Sequence, residues 1–206
     1  MRDICKNNQQ LSEKTPEDIV RWAIEQSKNP ILTTNFGPFE AVILHMVTGI
    51  KPDIKTVWVD SGYNSRHTYQ IAAQLIEQLT LNIDVYTPKI TAARQDMVLG
   101  GIPSVDDEAH ALFTEQFKLE PFTRAIQEIK PDIWFSAVRH EQTSFRQGLN
   151  IVEQGPDGII KIAPLLHWKQ ADMQVYLDKH GLPNTEKYFD PTKVMPKREC
   201  GLHTKL

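Results

Sequence analysis

Cysteine is nearly absent from this sequence: Cys5 and Cys200 stand almost a whole chain apart in 206 residues. Two such thiols form neither a disulfide framework nor a zinc site, so no metal is expected. Long apolar runs are also missing. The longest, around "EAVILHMV", is far short of the roughly 20 residues of a membrane span. The start, "MRDICKNNQQLSEK", has no apolar core of a signal peptide, so the expected location is the cytoplasm, where both thiols stay reduced. An excess of positive charge is lacking too. The net charge of −3 argues against non-specific nucleic-acid binding. With no internal repeat, biased tract or linker, residues 1–206 read as one domain, with an N-terminal helical lead-in over 1–30.

What is present alternates between strand and helix. "KTPEDIVRWAIEQS" offers Thr15 as N-cap, Pro16 at the first helical position and Asp18 in the first turn, then Ile19, Ala23 and Ile24 at helical spacing. "ILTT" reads as a strand, followed by a tight turn and a buried helix in "NFGPFEAVILHMV". "KTVWVD" and "NIDVYT" are further strands, separated by a long amphipathic helix. A polar, helical stretch from about Thr91 to Ile129 leads to a fourth strand, "PDIWFSAV". "IIKIAPLL" reads as a fifth, and a last helix is stopped by Gly181. The alternation predicts an α/β fold: an open, mostly parallel sheet flanked by helices. Beyond Leu182 come Pro183, Pro191 and Pro196 without periodicity, which predicts an irregular, mobile tail over 182–206.

In an open parallel sheet, ligands bind beyond the carboxyl ends of the strands. Three segments put polar residues there. Thr33, Thr34, Asn35, Phe36 and Gly37 suit a phosphate or sulfate held by backbone N–H groups, or form an ordinary capped turn. The stretch lacks both GxxxxGK[ST] and SGGxDS. In "DSGY", Asp60 could contact a ribose or adenine amine, or cap the next helix. In "RHEQTSFR", Arg139, His140 and Arg146 could hold a doubly charged oxyanion, or the cluster could make surface salt bridges with Glu141. His45 reads as a core residue, His67, His110 and His180 as surface residues, and Cys5 as incidental.

The tail from Lys193 to Leu206 carries Lys193, Lys197, Arg198 and Lys205 against Glu199 and the terminal carboxylate. This basic stretch suits a local anionic partner or is simply solvated. Cys200 lies within it, and Lys197, Arg198 and His203 favour its thiolate while Glu199 opposes it. Charge alone leaves that thiol either passive or nucleophilic.

Taken in order, the segments from about Ile31 to Leu206 resemble the phosphoadenylyl-sulfate (PAPS) reductases, thioredoxin-dependent enzymes of assimilatory sulfate reduction. "TTNFGPFEAVILHM" resembles the modified pyrophosphatase loop of that family. "VWVDSGY" is similar to its D-T-G-Y segment, with Ser61 for threonine beside Gly62 and Tyr63. "FKLEPFTRAI" resembles K-x-E-P-x-x-R-A, giving Lys118, Glu120, Pro121 and Arg124. "WFSAVRHEQTSFR" is similar to G-x-R-R-E-Q-S-x-x-R with His140 for an arginine. "KIAPLLHW" resembles K-x-x-P-x-x-D-W with His167 for the aspartate. "KRECGLH" matches the C-terminal signature at every residue.

The resemblance implies an adenine-nucleotide α-hydrolase-like fold and release of sulfite from an activated sulfate. It makes Cys200 the nucleophile that attacks sulfur, leaving a cysteine S-sulfonate and adenosine 3',5'-bisphosphate. Thioredoxin or glutaredoxin then reduces the adduct as external reductant. Arg139 and Arg146 hold sulfate or phosphate oxygens, and the turn at Thr33 to Gly37 and Asp60 seats the nucleotide. The other substrate-binding residues it implies are Ser61, Gly62, Tyr63, Lys118, His140, Lys197, Arg198 and His203. Relatives that reduce adenylyl sulfate (APS) usually add two cysteine pairs for an iron–sulfur cluster. With no such pairs here, a cluster-free enzyme without bound cofactor is expected, using PAPS, with cluster-free APS reduction as the alternative. A related adenylyl transferase should show SGGxDS, and a non-catalytic nucleotide-binding relative has no need of "KRECGLH". Family members are commonly dimers, which implies a homodimer. One departure stands out: only "TKVMP" separates "GLPNTEKYFDP" from "KRECGLH", where the family usually has a longer, glycine-containing stretch.

Overall fold

The computed structural model describes residues 3–185 and 188–193. In chain order the elements are helices α1 (Ile4–Leu11) and α2 (Pro16–Gln26), strand β1 (Pro30–Thr34), helix α3 (Glu40–Ile50), strand β2 (Lys55–Val59) and helix α4 (Arg66–Gln78). Strand β3 (Asn82–Tyr86) follows, with helices α5 (Ala92–Val98), α6 (Ala109–Thr114) and α7 (Glu120–Ile129). Strands β4 (Ile133–Phe135), β5 (Val152–Gln154) and β6 (Ile160–Ile162) and helix α8 (Gln170–His180) complete the order. Thr15 caps α2, its hydroxyl accepting from the Asp18 N–H, with Pro16 at the first helical position. Gly181 closes α8 at φ 60°, a left-handed value that costs glycine little.

The six strands are ordered β3-β2-β1-β4-β6-β5. All neighbours are parallel except β5 and β6. The expected fifth strand is therefore β6, and it is shorter than "IIKIAPLL". The sixth strand, β5, was not expected; it pairs with β6 across a Pro-Asp-Gly turn in which Asp157 (φ 54°) and Gly158 (φ 80°) are left-handed. Each arm of this hairpin is three residues long, too short to show an alternating pattern.

Side chains alternate between two layers, as the pleat requires. Leu32 of β1, Trp58 of β2 and Ile133 and Phe135 of β4 join the main core beneath α2, α3, α4 and α8. Ile31 and Trp134 point to the opposite face, where they meet Phe122 of α7, and Val57 meets Ala125. Helix α3, "EAVILHMVTGI", is apolar on nearly every side because it is buried on nearly every side. Strands β1 and β4 are tied at their amino ends by Asp132, whose carboxylate accepts from the Ser27 hydroxyl and from the Lys28 (2.7 Å) and Asn29 (3.0 Å) amides.

The β5 edge is covered by a side chain that imitates a strand. Asn8 of α1 donates from Nδ2 to the Val152 carbonyl and accepts through Oδ1 from the Val152 amide, both at 2.9 Å. Val152 is fully buried, so these groups have no water to turn to. Asn8→Ala should lower stability by about 1–3 kcal/mol. Urea unfolding would read the loss, and hydrogen exchange should show the Val152 amide opening faster than those of β1.

Candidate functional site at the carboxyl end of the sheet

The strand order reverses between β1 and β4: the chain leaves β1 toward β2 and later returns to the other side of β1. At this switch point lies a cavity of about 200 Å³. Its strand-side lining comprises Thr33 and Thr34, Val57 to Val59, and Trp134 and Ser136. The indole of Trp134 donates to the Thr33 hydroxyl at 2.8 Å, joining the ends of the two diverging strands.

The β1–α3 turn is held in one shape by its own polar atoms. The Phe36 amide donates to the Thr34 hydroxyl (3.0 Å), the Gly37 amide to Asn35 Oδ1 (2.8 Å) and the Phe39 amide to Asn184 Oδ1 (2.8 Å). Phe36 (φ 51°) and Phe39 (φ 66°) both adopt left-handed backbone, which costs a side-chain-bearing residue energy that surrounding contacts must repay. Phe36 does so by complete burial, edge-on to Trp58 at 5.0 Å. Gly37 has no room for a side chain: a Cβ there would meet Asn35 Oδ1 at 2.7 Å and the Tyr188 ring at 3.4 Å.

Lys118 reaches the cavity from a π-helical turn, Glu115–Leu119, between α6 and α7. Pro121 has no N–H for the Phe117 carbonyl, so an ordinary α-helical ladder cannot run through this point. Glu120 and Arg124, the next charged residues of the same motif, serve α7 instead. Arg124 bonds Glu120 and donates to the Thr87 carbonyl at 2.7 Å, tying the helix to the end of β3.

Arg146, nearly buried in the 3-10 turn Phe145–Gly148, lines the cavity and donates to Gln142. Arg139 is equally buried but does not line the cavity. It pairs with Glu141, and its guanidinium lies 5.6 Å from the Phe39 ring centre, bracing the β1–α3 turn. His140 also lies outside the lining, its Nε2 2.9 Å from the Leu149 carbonyl oxygen, with the His167 ring edge-on at 4.9 Å.

Of the residues singled out in the sequence, Thr33, Thr34, Asn35, Gly37, Ser61, Lys118 and Arg146 line this one cavity. Phe36 is core, and Asp60 organises its own loop. Asp60 accepts from the Gly62 amide (2.9 Å), Asn64 Nδ2 (2.8 Å) and the Tyr69 hydroxyl (2.9 Å). Gly62 takes φ 77° in that loop, and Tyr63 turns its hydroxyl to Asp96 at 2.7 Å. Burial first, and then Asp96, raise the Tyr63 phenol pKa well above its ordinary value. Lys197, Arg198, Cys200 and His203 lie outside the described residues. Cys5 is exposed on α1 and lines no part of the cavity.

His110, expected at the surface, is 2% exposed and packs beside Phe113. His180, also expected there, is half-buried and stacks against His45 and Tyr176. His45 itself bonds the Tyr176 hydroxyl at 2.9 Å.

Sequence reasoning missed Glu40, Gln142 and residues 188–192, and named Lys193 only as a cation of the basic tail. Tyr188, Asp190, Pro191, Thr192 and Lys193 all line the cavity, although they fall in the stretch expected to be a mobile tail. Asp190 is 7% exposed and forms an ion pair with Lys118. The Thr192 amide (3.0 Å) and hydroxyl (2.7 Å) also donate to it. No local pattern marks "YFDPTK" as a wall of the site; the one available sign was an aspartate in an otherwise apolar and basic run.

Comparison with known proteins follows the same lines. The family model for the phosphoadenosine phosphosulfate reductase domain matches residues 29–190. The chain belongs to that family. A phosphoadenosine 5'-phosphosulfate reductase of Synechococcus sp. is 39% identical over 178 residues, covering 85% of this chain and 76% of the relative. One from Vibrio campbellii is 33% identical over 223 residues, covering 97% and 86%. Among solved structures, the PAPS reductase of Candida auris in its phosphate complex superposes with a TM-score of 0.77 at 26% identity, covering 89% of this chain and 88% of that one. A tRNA thiolase of Methanococcus maripaludis, at TM-score 0.59 and 12% identity, shares the fold, with 85% of this chain and 65% of that one covered. The mostly parallel sheet flanked by helices is thus a fold shared with a PAPS reductase and with a tRNA thiolase.

The Lys118–Asp190 pair gives the reductase fold a definite acid response. Burial pushes the Asp190 carboxyl up, but the charge and hydrogen bond of Lys118 and the bonds from Thr192 outweigh it and hold the group below its ordinary value. Its stabilising contribution is therefore complete above the unfolded-state pKa of about 3.9 and disappears as pH falls through the lower folded-state value. Asp190→Asn should cost about 3 kcal/mol near neutrality, as expected when one partner of a buried pair is removed. Denaturant midpoints taken from pH 7 downward should show the two chains converging in acid.

Proposed function

We propose that this chain reduces 3'-phosphoadenylyl sulfate to sulfite and adenosine 3',5'-bisphosphate, with Cys200 as nucleophile and thioredoxin or glutaredoxin as electron donor. One observation carries the reading. The β1–α3 turn, Lys118 and Arg146, far apart in sequence, meet in one cavity at the switch point of a sheet belonging to the PAPS reductase family.

The chemistry follows from the charges. Lys118 and Arg146 attract the anionic phosphosulfate and, with the N-terminal end of α3, offset charge on the leaving phosphate. The Cys200 thiolate attacks sulfur: an S–S bond forms, the S–O bond breaks, and its electron pair stays on the phosphate oxygen. A thiolate of the reductant then attacks Cys200 sulfur and expels sulfite. The second thiol of the reductant closes its disulfide and returns Cys200. No resident cofactor enters the scheme, and the two cysteines of the chain are too few for a four-cysteine iron–sulfur cluster. We place the enzyme in the cytoplasm, where such dithiol proteins are kept reduced, and as a homodimer. No described helix is long and apolar enough to cross a membrane.

Sulfite release from PAPS, with APS in parallel, tests this directly in the presence of thioredoxin and its reductant. The parent should turn over PAPS, Cys200→Ser should release no sulfite, and Cys5→Ser should match the parent. Without thioredoxin, mass spectrometry should find a sulfonate on Cys200. Equal sulfite from the parent and Cys200→Ser would remove Cys200 from the mechanism. Arg146→Ala should lower kcat/KM by roughly ten- to a hundredfold, the usual range for a lost hydrogen bond to a charged group.

A further inference from the structure

Glu40 is a carboxylic acid placed where an anion is to bind. It opens α3, lines the cavity, and has its Oε2 buried with no hydrogen-bond partner, although part of its stem is exposed. The groups around it come from every wall: Thr34 from β1, Lys118 from the π-helical turn, Arg146 from the 3-10 turn, and Asp190 and Lys193 from the segment 188–193. A buried carboxylate oxygen without a partner is costly, and a second anion beside it makes the ionised form costlier still. A neutral carboxyl in the same place has a proton to offer and an oxygen ligand to receive it.

We propose that Glu40 acts as a neutral hydrogen-bond donor to an oxygen of the bound phosphosulfate, and that its ionised form opposes binding. The proposal rests on the reading of this cavity as the phosphosulfate site and adds a proton to it. Burial is the main influence on Glu40 and raises its pKa to about 7, even though the Thr34 hydroxyl, Arg146, Lys193 and Lys118 pull the other way. An entering anion raises it further. The acid form therefore prevails in the complex below and around neutrality, and binding weakens as the pH climbs past the free-site value. The same donor remains on the phosphate oxygen that receives the electron pair when the S–O bond breaks.

Equilibrium binding of PAPS separates these ideas. The hosts are the full chain carrying Cys200→Ser, which prevents turnover, and the same chain with Glu40→Gln. The fluorescence of Trp58 and Trp134, both in the cavity wall, gives the signal, or calorimetry does. Titration of the ligand's own 3'-phosphate is common to both chains and cancels in the ratio of their dissociation constants. Glutamine keeps a donor and cannot ionise. The ratio should stay near constant below pH 6.5 and move against the Glu40 chain by up to about tenfold per pH unit above its pKa. Glu40→Ala, which has no donor, should bind more weakly than Glu40→Gln at every pH. Thermal melting of each variant checks that it is folded. A ratio independent of pH from 6 to 9, or tighter binding by Glu40→Gln by a constant factor, would make Glu40 a plain counter-ion and overturn the proposal. Absence of PAPS binding to all three chains would overturn the function proposed for the cavity, and this proposal with it.

Discussion

The site depends on β1 being hydrogen-bonded to parallel strands on both sides. β2 and β4 flank β1, yet the connections leaving β1 and β4 run to opposite sides, so nothing closes the gap above their carboxyl ends. That gap is the cavity. The Trp134 indole bonded to Thr33 fixes the distance between the two strand ends, and the complete burial of Phe36 offsets the left-handed backbone that turns the chain into α3. Removing the apolar anchor would leave the strained turn to its hydrogen bonds alone at Phe36.

Much of this was legible in the sequence, because the strands carrying the site are short apolar runs bounded by turn residues. "ILTT", "KTVWVD" and "PDIWFSAV" each end where polar residues begin, which is what a strand entering a ligand-binding loop looks like. Side-chain direction was not legible. Thr33 and Thr34 at the end of β1 line the cavity, whereas Asp60, just past the end of β2, folds back onto Gly62, Asn64 and Tyr69. Arg139 and Arg146 look equivalent in a motif, yet one braces Phe39 and the other faces the cavity. Long-range partners were invisible as well. Asp190 is 72 positions from Lys118, and no local pattern joins them.

Two departures from the family pattern meet in space. His140 stands where the resemblance has an arginine and His167 where it has an aspartate; the two rings contact edge-on at 4.9 Å. This ring contact joins the loop after β4 to the segment entering α8. Burial and then the neighbouring His140 lower the His167 pKa, so the His167 ring stays neutral to lower pH than a free imidazole. The neighbouring glutamates and lysines of the family motifs show the same division of labour. Lys118 faces the cavity, whereas Glu120 and Arg124 pair with each other on the outside of α7.

The charges within the cavity explain why two carboxylates belong in a site for anions. Lys118, Arg146 and Lys193 converge there, and three cations without counter-charges would repel one another in a place shielded from water. Asp190 supplies a standing opposing charge, and Glu40 supplies one only in its ionised form. A ligand carrying negative oxygens competes with both, and the fold gives each a different way to yield. Asp190 lies on a segment outside any helix or strand, so its charge can be displaced from Lys118 at the cost of one ion pair. Glu40 opens a helix buried on nearly every side, so its backbone is fixed with α3, and taking up a proton is the response we assign to it.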